Sequence, residues 1–232
     1  MHVYLFCNER YGSAFAETAA LFAQRTGTRV EIVLSGKPRR TVRGGLARML
    51  APLAIRRRRA ALADRLGVPV RVAHDVNAVR FLRALDPRAH AVIAGFNQIF
   101  RKPALERVAS FVNFHPSLLP YYRGPVPSFW CLKNRERHTG FTLHRVTEAI
   151  DAGEVLHQAI VRIEDVRHPT ELDAQVAAHA QPCFARWLEH LSVGGAWRRV
   201  RVSASTYYAT HVEYASFPKP RAKSVRRRSA SR

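Results

Sequence analysis

The sequence predicts one large α/β domain built on a mostly parallel central sheet flanked by helices. Three observations point there. Short apolar runs at residues 2–7, 30–34, 68–72 and 91–94 are separated by stretches of helical periodicity, the pattern of βαβ units. The chain has 232 residues, 47% of them hydrophobic, enough for one large core and a small extension. Asn113, His115 and Asp151, an amide, an imidazole and a carboxylate, stand at the ends of short apolar runs beside Pro or Gly breaks. That is where open α/β sheets carry their sites.

Residues 2–7 form the first strand and residues 8–13 a turn, with Ser13 placed to cap the next helix. Phe15, Ala19 and Phe22 recur at helical spacing, and Gly27 is a stop. Val30, Ile32 and Leu34 alternate as a half-buried strand does. The first turn lacks a G-x-G-x-x-G fingerprint, which argues against a nicotinamide cofactor. The helix start after it can hold an anion on free N–H groups, with Arg10 and Ser13 assisting; an ordinary strand-to-helix connection is the plainer alternative. Residues 36–60 carry Lys37, Arg39, Arg40, Arg43, Arg48 and the arginine run 56–59. Leu46, Met49, Leu50 and Leu53 among them suggest an amphipathic helix with a basic flank. A solvated face is the common meaning of such a flank, and an RNA or membrane-surface patch the sharper one.

Residues 68–72 are the third strand, Asn77 caps a helix through Leu85, and Gly95 ends a buried strand at 91–94. Pro103 opens a short helix. Val112, Asn113 and Phe114 finish the next strand. Asn113 and His115, two apart, share one face, and Pro116 ends the ladder. Residues 125–130 lead into a helix that ends near Asn134. Residues 139–146 and 155–163 are two antiparallel strands flanking Asp151. Thr170 with Asp173 resembles a capping box ahead of a long helix to about Leu191, with Val176, Ala180, Phe184 and Leu188 as its apolar stripe. Pro182 inside that span predicts a kink or break. Residues 202–217, with Tyr207, Tyr208, Tyr214 and Phe217, suit a strand or a covering tail. Residues 221–232, basic and Ser-rich, suit disorder. The expected organisation is a catalytic domain at 1–193, an extension at 194–220 and a basic tail at 221–232.

The formal net charge of +21 fits a polyanionic partner, yet only five of the 38 basic residues are Lys. That skew fits a GC-rich coding sequence equally well. Cys7, Cys131 and Cys183 are scattered and without metal-ligand spacing, so free thiols in a reducing cytoplasm are expected. No run is long enough to span a bilayer, and no signal-peptide pattern opens the chain. The expected location is cytoplasmic.

The segment Asn113-Phe114-His115-Pro116-Ser117-Leu118-Leu119-Pro120, with Arg123-Gly124, then Gly140-Phe141-Thr142-Leu143-His144-Arg145-Val146 and Asp151-Ala152-Gly153, resembles the folate-dependent formyltransferases. The match is dense over about 91–158, looser before, and slight after Val193. The resemblance implies a Rossmann-like formyltransferase fold and transfer of a formyl group from 10-formyltetrahydrofolate, a cosubstrate, to a primary amine. It implies Asn113, His115 and Asp151 as catalytic residues and no metal. By the same resemblance the backbone of Asn97, Gln98, Ile99 and Phe100 receives the pterin ring, and Gly140 belongs to the cofactor site. Arg10, Ser13, Arg123 and Trp130 are the expected substrate-binding residues.

Pro127-Ser128-Phe129-Trp130 is similar to the sugar-nucleotide N-formyltransferases, which implies an amino sugar on a nucleotide as acceptor. Phe129 and Trp130 also suit buried anchors. Methionyl-tRNA is the first alternative, although its enzyme carries a further C-terminal domain and only about eighty residues follow Asp151 here. Glycinamide ribonucleotide is the second; residues 8–13 lack the Gly-Ser-Asn phosphate loop of its enzyme. A non-catalytic nucleic-acid-binding protein on the same scaffold is the competing class; retention of all three polar site residues argues against it. The sugar-nucleotide relatives often pair through C-terminal elements, which implies a homodimer, although the tail here resembles theirs poorly.

Overall fold

The computed structural model describes residues 1–36 and 45–193, with 45–55 described by backbone alone. In chain order the elements are β1 (His2–Cys7), α1 (Ser13–Thr26), β2 (Arg29–Ser35), α2 (Gly45–Leu66), β3 (Val70–Ala73), α3 (Val79–Arg83) and β4 (His90–Ala94). Then come α4 (Lys102–Leu105), β5 (Ser110–His115), α5 (Pro127–Lys133), β6 (His138–Arg145), β7 (Val155–Arg162) and α6 (Pro169–Val193). The strands form one sheet in the order β3-β2-β1-β4-β5-β6-β7. The first five are parallel, and β6 and β7 close the sheet antiparallel, as the alternation at 139–146 and 155–163 predicts.

β1 lies inside the sheet with a neighbour on each side, and all six of its residues are buried, which is why it reads as a mostly apolar run after His2. Helices α1 and α6 cover one face, where Phe15, Phe114 and Phe184 meet with ring centroids 5.2–5.6 Å apart. The other face packs Tyr4, Phe6, Phe81, Phe100 and Phe111. The chain leaves β1 toward one edge and β4 toward the other. The topological switch point of the sheet, where open α/β folds carry their sites, therefore lies at the carboxyl ends of these two neighbours.

Several local expectations change. Gly12, not Ser13, holds the cap position of α1, and the Ser13 hydroxyl donates back to Arg10 O at 2.8 Å. The turn is closed instead by Asn8, whose Oδ1 accepts from the N–H groups of Arg10 (2.9 Å) and Gly12 (3.2 Å). Gly27 does stop α1, in the left-handed region at φ 68°. Ala78, not Asn77, precedes α3. α6 starts at Pro169, and His168 Nδ1 accepts the Thr170 N–H at 3.2 Å, while Asp173 turns to the Ser128 hydroxyl at 2.6 Å. α6 also continues through Pro182. The carbonyl left without its partner belongs to exposed Ala178, where water can bind it, and buried Phe184, Trp187 and Leu188 hold the following turns.

α2 exists where the basic stretch was expected, but it runs on to Leu66. Arg56 to Arg59 are exposed, and Arg58 pairs with Glu9 (2.7 Å) and Arg65 with Glu17 (2.9 Å). Lys37, Arg39, Arg40 and Arg43 lie outside the described residues, as do the segments 194–220 and 221–232; the side chains at 46–53 are likewise outside them. Among the described residues, no helix is long and apolar enough to cross a membrane, and the three cysteines are free and buried.

Candidate active site

β5 ends with Asn113 and His115 on one face, and β6 runs antiparallel beside it with Asn113 opposite His144 and His115 opposite Thr142. The turn between β6 and β7 brings Asp151 back over this end of the sheet, with its backbone in the left-handed region at φ 47°. Asp151 Oδ1 accepts from Asn113 Nδ2 at 3.2 Å and lies 3.5 Å from His144 Nε2. Its Oδ2 accepts the Gly124 N–H at 2.9 Å and lies 3.5 Å from His115 Nδ1. The three residues singled out in the sequence therefore converge on one carboxylate.

Hydrogen bonds set the proton positions. His144 Nδ1 lies 2.8 Å from Arg145 O, so it carries the proton, and Nε2 accepts from Asn113 Nδ2 at 3.1 Å. His115 Nε2 lies 2.9 Å from Tyr122 O and is likewise the protonated nitrogen. That leaves His115 Nδ1 as the site for a second proton, with Asp151 as its counter-ion. Burial holds the His115 pKa below its ordinary value, against the opposing pull of Asp151. For Asp151 burial acts upward, but His115, His144 and the Gly124 N–H together outweigh it and hold the carboxyl well below its usual range. At neutral pH the site thus holds an ionised carboxylate beside a neutral His115 imidazole.

The sequence profile of the formyl transferase family matches residues 12–188. The chain belongs to the formyl transferase family. It is 33% identical to the methionyl-tRNA formyltransferase of Solibacter usitatus over 184 residues, 78% of this chain and 57% of the relative. To that of Herpetosiphon aurantiacus it is 30% identical over 150 residues, 63% of this chain and 49% of the relative. The chain spans about half the length of the curated relatives it matches. A solved sugar N-formyltransferase from a Shewanella species superposes with a TM-score of 0.65 at 18% identity, covering 93% of this chain and 79% of that one. The phosphoribosylglycinamide formyltransferase of Anaplasma phagocytophilum gives 0.60 at 21%, covering 84% and 88%. These likenesses show a shared fold.

In this formyl transferase chain the other expected site residues divide. Asn97 and Ile99 are exposed on the loop after β4, whereas Gln98 and Phe100 turn inward. Gly140 is buried in β6, where a Cβ would stand 2.1 Å from Ala159 O and 2.5 Å from a Leu118 methyl, so its bareness serves packing. Trp130 is buried against Phe129 and beneath the Lys133 ammonium, as a packing anchor would be. Arg123 is half-buried; its Nε donates to Ile150 O at 3.0 Å, and Nη2 bonds the same carbonyl. Arg123 and Gly124 together clip the Asp151 turn, one by its backbone and one by its carboxylate.

Arg10 is exposed. Ser13 lines a cleft of about 330 Å³ between α1 and α2, with Asn8, Leu34, Arg58 and Arg65 also on its wall. His144 was absent from the sequence-based site. Its signal was the period of two from Thr142 in the Gly-x-Thr-x-His stretch, and only pairing with β5 places it against Asn113. Thr142 is structural: its hydroxyl donates to Ser117 O at 2.7 Å and accepts from the Leu119 N–H at 2.9 Å.

Proposed function

We propose that the chain is an N-formyltransferase moving the formyl group of 10-formyltetrahydrofolate to a primary amine. The observation that carries this is the convergence of Asn113, His115 and His144 on ionised Asp151, beside the strand end from which the 95–101 loop departs. The donor supplies an activated formyl carbon. The chemistry needs a base for the amine's proton and hydrogen-bond donors for the carbonyl oxygen. His115 supplies the base at Nδ1, where Asp151 stabilises the charge gained on protonation. As the bond from the amine to the formyl carbon forms, the bond to the donor nitrogen breaks. The proton passes to that nitrogen, so His115 returns to its neutral form.

Asn113 and His115 are the donors for the carbonyl oxygen. Both amide hydrogens of Asn113 are directed to Asp151 and His144, and His115 Nε2 to Tyr122 O. An incoming oxygen therefore takes over one of these bonds. The loop at 97–100 suits the pterin: its backbone runs between exposed Asn97 and Ile99 and inward Gln98 and Phe100. No step calls for a metal, and 10-formyltetrahydrofolate is consumed as a cosubstrate.

The acceptor we favour is an amino sugar on a nucleotide. Support comes from the likeness to a sugar N-formyltransferase over nearly the whole chain. Methionyl-tRNA is the second reading, supported by relatives of that name and by exposed Arg56, Arg57 and Arg59. The test is a panel of nucleotide-linked amino sugars, methionyl-tRNA and glycinamide ribonucleotide with 10-formyltetrahydrofolate, read by tetrahydrofolate release. One acceptor is expected to turn over with wild type and not with His115→Ala. No turnover on the whole panel, together with no binding of folinic acid, would end the proposal.

A further inference from the structure

The loop between β4 and α4 is held from behind by two side-chain amides. Gln98, only 6% exposed, ties it at three points. Its Nε2 donates to Ser35 Oγ (2.9 Å) at the end of β2 and to Ala73 O (2.7 Å) at the end of β3, and its Oε1 accepts the Val76 N–H at 3.2 Å. Asn77 grips the next residues as a strand partner would: Nδ2 donates to Ile99 O at 2.9 Å, and Oδ1 accepts the Arg101 N–H at 2.9 Å. Phe100 is anchored between Phe6 and Phe111, centroids 4.9 and 4.6 Å away. Ile99, between these anchors, is 63% exposed. An irregular loop is thus fixed at consecutive residues while one face stays open. β4 ends beside β5, with Ile93 opposite Asn113, so the open stretch lies at the same sheet end as the polar cluster.

We infer that Asn77 and Gln98 are positioning residues for the formyl donor, an inference that rests on the proposed role of residues 97–100. They hold the backbone at 98–101 in one conformation, so binding the donor does not bear the entropy of ordering it. Asn77 sits outside the four-residue cluster and bonds the backbone of 99 and 101, so its loss falls on donor affinity and spares the chemical step.

The experiment compares wild type, Asn77→Ala and Asn77→Asp by calorimetric binding of folinic acid and by steady-state kinetics with the amine that wild type formylates. Losing the bond to Ile99 O is expected to weaken folinic acid about tenfold. The KM for 10-formyltetrahydrofolate should rise in step while kcat changes less than about threefold. Asn77→Asp keeps the size and the acceptor for the Arg101 N–H, so it decides the matter if Asn77→Ala does not fold. Folinic acid affinity within about twofold of wild type in a folded variant, or a loss carried by kcat instead, overturns the inference and leaves the proposed activity standing. A wild-type chain that binds no folinic acid removes the activity itself, and the inference with it.

Discussion

Asp151→Asn is the sharpest test of the cluster, because it removes one charge at nearly constant shape. Asp151 Oδ2 lies 3.5 Å from His115 Nδ1, the nitrogen that must take the second proton. At an effective dielectric of about 20, that separation corresponds to about 5 kcal/mol of attraction, or several thousandfold (about 3.5 decades) in rate if all of it serves the protonated state. The amide also places an NH2 where the carboxylate accepts either the Gly124 N–H or the Asn113 amide hydrogen. Two donors then face each other, which should cost about 1–3 kcal/mol of stability. The assay is kcat for tetrahydrofolate release with the formylated amine, alongside urea unfolding to confirm the fold. A kcat within about tenfold of wild type in the folded variant would refute His115 Nδ1 as the base and Asp151 as its counter-ion.

Other perturbations report on neighbouring parts. Arg123→Gln loosens the Asp151 turn; kcat should fall about tenfold with both KM values nearly unchanged, and a selective rise in acceptor KM would instead assign Arg123 to substrate binding. Gly140→Ala drives a methyl against the Ala159 carbonyl and Leu118, and should cost about 3 kcal/mol in denaturant unfolding; a neutral result would show that β6 and β7 can part there. Burial lowers the pKa of His2, His90, His115 and His157 from 6.5. Between each folded value and 6.5 the unfolded chain binds more protons, so stability should rise with pH through that window and fall as the solution is acidified below 6.5. Calorimetric melting midpoints across that range check the sign, and a flat profile contradicts it. Asp151, depressed below 3.8, adds stability that is present above that value and is lost only as the pH falls through its folded pKa.

Much of the fold was legible because burial leaves a periodic trace. β1 reads as a strand from six consecutive buried positions, and α6 shows its stripe of Val176, Ala180, Phe184 and Leu188. The caps were less legible. Ser, Asn, Thr and Asp suit several local bonds, and only tertiary neighbours choose among them. Asn77 bonded a loop more than twenty residues away in place of its own helix, and Asp173 bonded Ser128 on a different helix.

The sequence alone determined the residue types of the site and their strand-end placement, since a period of two sets Asn113 and His115 on one face whatever surrounds them. Tertiary structure decided which groups meet. Antiparallel pairing brought His144 opposite Asn113, and the β6–β7 turn carried Asp151 onto both histidines. It also turned Trp130 into the core and Arg123 onto a backbone carbonyl, because a long side chain's partner is set by whatever lies within reach after folding, and no local pattern encodes that.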